Sequence, residues 1–175
     1  MRIGIDLDDT ICRTSEIVRY YLKEEADKTN REPLDIMNNE IKKEEFFDQY
    51  LEDIYQNAEI KRGVSDVIRR LHNKGNEIYI ITARDEKYNP ITEEWLKTHQ
   101  IHYDKIVASV YGERKVDACK EHKIDLMIDD DPYNYQKLVT ANIKGLLFDD
   151  RGRYELKEGY ATSWNDIEKY IERNR

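Results

Sequence analysis

Ile5-Asp6-Leu7-Asp8-Asp9-Thr10 closes the first apolar run of the chain, and its reading decides the fold. The run from Ile3 to Ile5 is short and branched, and it passes directly into a group of carboxylates. Four more short runs follow: Glu77 to Ile81, Lys105 to Ala108, Leu126 to Ile128 and Gly145 to Phe148. Helical patterns separate them. Val64, Val67, Ile68 and Leu71 make one apolar stripe that stops before Gly75, a glycine suited to a helix C-terminus. Asn89-Pro90 and Asp131-Pro132 read as N-caps followed by a first-turn proline, and Ser163 to Asp166 reads as a capping box. Apolar strands alternating with helices predict an α/β fold, a doubly wound parallel sheet covered on both faces.

Residues 13–62 interrupt that alternation. Phe47, Tyr50, Leu51, Ile54, Tyr55 and Ala58 form a helical stripe, and Ile17, Val18, Tyr21 and Leu22 a shorter one. The segment is too long for an ordinary connection. It is expected to be a small helical cap (13–62) inserted after strand 1 into a core made of residues 1–12 and 63–175.

Composition narrows the partners. The 175 residues carry 29 Lys and Arg against 37 Asp and Glu, a formal charge of -8, which disfavours nucleic-acid polymers and anionic membrane surfaces. No apolar stretch is long enough to span a bilayer, and the start of the chain lacks the pattern of a signal peptide. Cys12 and Cys119 form no CxxC pair and are expected to be small packing residues in a reducing, cytoplasmic setting. Self-association stays open.

In open α/β sheets, ligands bind beyond the carboxyl ends of the strands. Strand 1 runs into Asp6, Asp8 and Asp9, strand 2 into Thr82-Ala83-Arg84, and strand 4 into Asp129-Asp130-Asp131, with Lys115 on an intervening helix. Carboxylates gathered at 4 Å repel by about 4 kcal/mol per pair at an effective dielectric near 20. They therefore hold protons or share a cation. An oxygen-only donor set favours Mg²⁺, and a hydroxyl and an ammonium beside it are the donors a transferring phosphoryl group requires.

The ordered segments IDLDDT, ITAR, a lone Lys and IDDDP resemble the four motifs of the haloacid-dehalogenase-like (HAD) superfamily, over residues 1–12 and 63 to about 150. The resemblance implies a Rossmann-like core and a phosphatase. Asp6 would be the nucleophile, forming an aspartyl-phosphate, and Asp8 the general acid and then base, with a raised pKa. Asp6, the Asp8 backbone carbonyl and Asp130, supported by Asp129, would hold Mg²⁺. Thr82, with Ala83 and Arg84, would bind the phosphoryl oxygens, and Lys115 would neutralise charge. Within the superfamily the chain is most similar to the 5′(3′)-deoxyribonucleotidases, which implies a nucleoside monophosphate as substrate; ITAR departs from the shorter, Arg-free segment of the animal enzymes. Cap aromatics Tyr20, Phe46, Phe47 and Tyr50 are candidates for stacking on a base, Phe46 above all because it lies off the packing stripe. Other small phosphomonoesters (a sugar phosphate, a nucleic-acid end) stay open, and a receiver-like phosphoacceptor is disfavoured by the order of the motifs. Asp149-Asp150 reads as a solvated turn, and the four histidines as solvated residues without metal-ligand spacing.

Overall fold

The computed structural model describes residues 1–154 and 158–174. Its centre is a sheet of six strands in the order β3-β2-β1-β4-β5-β6, with every pairing parallel. The strands are β1 (Arg2–Ile5), β2 (Glu77–Ile81), β3 (Lys105–Val107), β4 (Leu126–Asp129), β5 (Gly145–Phe148) and β6 (Tyr160–Ala161). Five coincide with the apolar runs. β6 is two residues long, too short to show a period in sequence.

Alternation along each strand divides the core. Ile3, Ile5, Ile78, Ile80, Leu126, Ile128, Leu146 and Phe148 meet α4 (Val64–Asn73), α5 (Asn89–Thr98) and α8 (Trp164–Arg173). Tyr79, Ile81 and Met127 face the other way, toward α6 (Glu113–Glu121) and α7 (Pro132–Thr140). Gly4 sits on that second face in the middle of β1. A Cβ there would stand 2.7 Å from Met127 Sδ and 2.9 Å from Ile81 Cδ1, so only glycine lets the neighbouring side chains close over the central strand.

From β1 the chain moves outward through β2 and β3, then returns to the other side of β1 for β4, β5 and β6. The winding reverses between β1 and β4. A crevice opens at their carboxyl ends, where helices leave in opposite directions. Asp6 and Asp129 lie at that reversal, on neighbouring strands.

Between β1 and α4 lie α1 (Thr14–Thr29), α2 (Pro33–Met37) and α3 (Glu40–Asn57). Leu22, Ala26, Ile36, Phe46, Tyr50 and Ile54 give these helices an apolar centre of their own. Their two ends are tied together: Arg13 N donates to Glu59 O at 2.8 Å and Lys61 N to Ile11 O at 2.9 Å.

Several local expectations need correction. Phe46 does not lie off the packing stripe; α3 buries Phe46, Tyr50 and Ile54, spaced four apart, and leaves Phe47 half-buried at the margin. Phe46 is 2% exposed and packs in the apolar centre of these helices. Asn89 is not an N-cap, because a 3-10 turn at Glu86–Tyr88, capped by Asp85, leads straight into α5. Asp131 and Ser163 do cap α7 and α8. Asp149 is fully buried, not solvated, and accepts hydrogen bonds from Arg151 N, Tyr154 N, the Arg153 Nε and the Tyr160 hydroxyl. Those donors hold its carboxyl below the usual range despite the burial. Asp150 pairs with the buried Lys61 at 2.7 Å.

Candidate active site

At the reversal point one cation binds two carboxylates. Lys115, 1% exposed at the start of α6, donates to Asp6 Oδ1 at 2.8 Å and to Asp129 Oδ2 at 2.6 Å. Asp129 also accepts from Asp131 N at 2.9 Å and from Asn134 Nδ2 at 3.2 Å, so its orientation is fixed from three sides. Asn134 in turn accepts from Gly112 N, which locks the start of α6 to α7. Asp130 receives the Thr10 hydroxyl at 3.3 Å, and the Arg153 guanidinium stands 3.7 Å away. Oxygens of Asp6, Asp129 and Asp130 all lie within 4.8 Å of one another. The donor set is oxygen only, buried, and richer in negative than positive charge, which fits a hard divalent cation such as Mg²⁺.

The electrostatics agree. Burial pushes the Asp6 carboxyl well above the carboxylate range; Lys115 opposes, while Asp129, Asp130 and Asp8 add to the rise. Burial likewise raises Asp130 to about 7, helped by Asp129 and Asp9 and opposed by Arg153 and Thr10. Burial alone would lower the Lys115 ammonium, yet Asp6 and Asp129 hold it above its ordinary value.

A pH dependence follows with a definite sign. In the unfolded chain Asp130 titrates near 4, in the metal-free fold near 7. Between those values the folded state binds more protons, so chelator-treated protein loses stability as pH rises from about 4 to about 7, and Asp6, raised in the same direction, adds to the loss. Thermal melts in EDTA should therefore show a lower Tm at pH 8 than at pH 5, with added Mg²⁺ raising Tm far more at pH 8. A flat profile in EDTA would contradict the buried, charge-crowded cluster.

Asp8 lies apart from this trio. Arg84 grips it with a fork, Nη2 to Oδ1 at 2.7 Å and Nε to Oδ2 at 3.0 Å, and the Thr14 hydroxyl donates to Oδ1 as well. Arg84 is 2% exposed, donates to Thr92 and stacks at 3.8 Å on the Tyr55 ring of α3. The expectation that Arg84 meets the phosphoryl group is corrected here, because its donors are committed to Asp8 and one face is covered by Tyr55. Thr82, 1% exposed, accepts from Arg84 N at 3.1 Å and follows the end of β2, with Ala83 beside it.

Asp6, Asp129, Asp130, Lys115, Thr82 and Asp8 are thus gathered at one sheet edge. Thr10, quoted in the sequence only as the end of the first motif, joins them, as do Thr14, Tyr55, Asn134 and Arg153, for which the sequence suggests no place in the site. Tyr55 was visible there only as a member of a packing stripe. Arg153 follows β5 in a segment with no periodic pattern.

With this geometry, comparison with known proteins is decisive. A family model described as 5′ nucleotidase, deoxy (pyrimidine), cytosolic type C protein (NT5C) matches residues 1–175. The chain belongs to the NT5C family. It is accordingly a HAD-like phosphatase of the nucleotidase type. The Bacillus subtilis protein YqfW is 33% identical over 158 residues, covering 85% of this chain and 80% of its own. Nucleotidase CA_C3379 of Clostridium acetobutylicum is 28% identical over 157 residues, with 85% and 80% covered. Among solved structures, the haloacid dehalogenase-like hydrolase SP0104 of Streptococcus pneumoniae superposes with a TM-score of 0.73 at 14% identity, over 97% of each chain. At that identity the likeness speaks for the fold alone. Among the described residues of this NT5C-family chain, no helix is long and apolar enough to cross a membrane.

Proposed function

We propose that the chain hydrolyses nucleoside 5′-monophosphates by transferring the phosphoryl group to Asp6, with Mg²⁺ as cofactor. The observation that carries this reading is the trio of buried Asp6 and Asp129 with half-buried Asp130, whose oxygens lie close together while Lys115 is bonded to the first two. Asp6, Asp130 and the Asp8 carbonyl would hold the ion, and Asp129 would orient Lys115 and the Asp130 loop. Bound there, Mg²⁺ supplies charge neutralisation for a phosphate dianion approaching a carboxylate.

Asp6 Oδ attacks phosphorus as the ester P–O bond breaks, giving an acyl-phosphate and an alkoxide leaving group. The Asp8 carboxyl gives that oxygen its proton and becomes a carboxylate. It then takes a proton from a water that attacks phosphorus, which breaks the bond to Asp6 and releases inorganic phosphate. Lys115 holds Asp6 in place, and the Thr82 hydroxyl binds a phosphoryl oxygen. The cap is the segment 13–62. A cavity of about 270 Å³ is lined by Arg13, Glu16, Ile17, Tyr20, Asn57 and Glu59, and Arg13 immediately precedes Thr14, whose hydroxyl donates to Asp8. Tyr20, 61% exposed, is the cap aromatic free to stack on a base there.

The test is phosphate release from a panel of nucleoside monophosphates and sugar phosphates, with and without EDTA. dUMP and dTMP should be hydrolysed much faster than sugar phosphates, and EDTA should stop both. Preference for a sugar phosphate would overturn the substrate assignment and leave the chemistry standing.

Arg84 is a positioning residue for Asp8 on this reading. Arg84→Met keeps the stem against Tyr55 but removes the fork, so kcat should fall about 100-fold, the scale of general acid–base assistance. Mg²⁺ affinity should stay within a few-fold of the parent, because none of the trio contacts Arg84. A larger loss in Mg²⁺ affinity than in kcat would place Arg84 in the metal site instead.

A further inference from the structure

The histidines show no ligand spacing along the chain, yet the fold brings two of the four together. His72, in the last turn of α4, and His102, in the segment before β3, have ring centroids 3.4 Å apart at a 34° tilt. Asp104 completes a group whose ligand atoms lie within 4.8 Å of one another. His102 Nε2 and Asp104 Oδ1 stand 3.9 Å apart, too far for a hydrogen bond. Two ligands of a tetrahedral zinc stand about 3.4 Å apart, so an approach of about half an ångström between these exposed groups would seat one ion.

The carboxylate is already anchored. Asp104 Oδ2 accepts from Ile78 N at 2.6 Å, and Asp104 N donates to Ile78 O at 2.7 Å, which leaves Oδ1 directed at His102. Such support from an outer hydrogen bond is what orients ligands in metal sites. His102 and Asp104 are 43% and 37% exposed, so an ion can reach them and the rings can adjust. Ile78 belongs to the first half of β2, whereas Thr82 follows its last residue. This cluster therefore lies at the amino edge of the sheet, across it from Asp6.

We propose that His72, His102 and Asp104 bind a borderline divalent transition ion, Zn²⁺ or Ni²⁺, which clamps the end of α4 to the segment entering β3. Two imidazoles and one carboxylate select against Mg²⁺, which prefers an all-oxygen shell, so the two metal groups of the molecule differ in hardness. A fourth position is left to water.

Calorimetric titration of the full chain with Zn²⁺, in excess Mg²⁺ to occupy the oxygen cluster, tests the assignment. One event per chain is expected, weakened at least about 10-fold in His102→Ala, since losing a ligand costs no less than losing an outer-shell partner. The exposed position of His102 lets that variant fold, and circular dichroism checks it. Zn²⁺ should raise the Tm of the parent and of His122→Ala, but not of His102→Ala. With Ni²⁺, the ring resonances of His72 and His102 should broaden before those of His99 and His122. Equal Zn²⁺ affinity in parent and His102→Ala, or no Zn²⁺ event in the parent, overturns the proposal. Neither result bears on hydrolysis at Asp6.

Discussion

Asp6→Asn is expected to abolish turnover, by roughly 10⁴-fold or more, the scale on which loss of a nucleophile is felt. The amide has the shape of the carboxylate and still accepts from Lys115, so the fold has no steric reason to change. It does have an electrostatic one. Asp6 is held well above its ordinary pKa by burial and by three neighbouring carboxylates, against the pull of Lys115. Removing its charge relieves repulsion in the metal-free protein. The variant should therefore melt at or above the parent's Tm in EDTA at pH 8, while gaining less from Mg²⁺. Acid-quenched parent protein exposed to a labelled phosphomonoester should retain phosphate on Asp6, and the variant none. A variant that keeps more than a hundredth of the parent's rate would remove Asp6 from the nucleophile role. If it lost activity together with its cooperative melt, the loss would be one of folding, and the missing label would no longer speak for Asp6.

The role proposed for Asp6 and the cost of burying it have one origin in the winding of the sheet. Most of that was legible in the sequence because strands covered on both faces are apolar throughout, and each ended abruptly in a polar motif. The pairing of Asp6 with Asp129 across β1 and β4 follows once those strands are neighbours. Other features were legible only in part. Along α3 the expected stripe holds at Tyr50, Ile54 and Ala58 and differs at its first position, where Phe46 is buried and Phe47 packs at the margin, because adjacent aromatics on a helix packed between two partners can exchange places. The Arg84 fork on Asp8 depends on Tyr55 and Thr92, which arrive from different helices. Asp149 looked solvated because its donors come from an irregular segment, where sequence carries no period. The His72–His102 contact joins a helix end to a loop, a proximity that no local pattern encodes.

Lys115 provides the second large effect, and here function and stability should fail together. Its ammonium is 1% exposed and bonded to Asp6 and Asp129, with Asn134 holding the latter from the far side. Lys115→Met keeps most of the volume and removes the charge, leaving two buried carboxylates without their cation. Breaking a buried pair in this way costs about 3–5 kcal/mol. The cost should depend on conditions. With Lys115 gone, the Asp6 carboxyl loses the neighbour that opposes its rise, so the folded state gains by binding a proton there as the pH falls. The Tm deficit in EDTA should accordingly be large at pH 8 and small at pH 5, whereas removing a surface salt link, ionised at both values, would give a small and similar deficit at each. Mg²⁺ should recover part of the loss at pH 8 by serving as the remaining cation. Activity should not recover with it, because the ammonium also steadies Asp6 and offsets charge on the transferring phosphoryl group. One such donor contributes about 10²–10³-fold. If Mg²⁺ restored both the melt and the rate, Lys115 would be a charge balance for folding and nothing more. A rate still depressed about 100-fold in fully folded, Mg²⁺-loaded Lys115→Met would place the ammonium in the reaction itself.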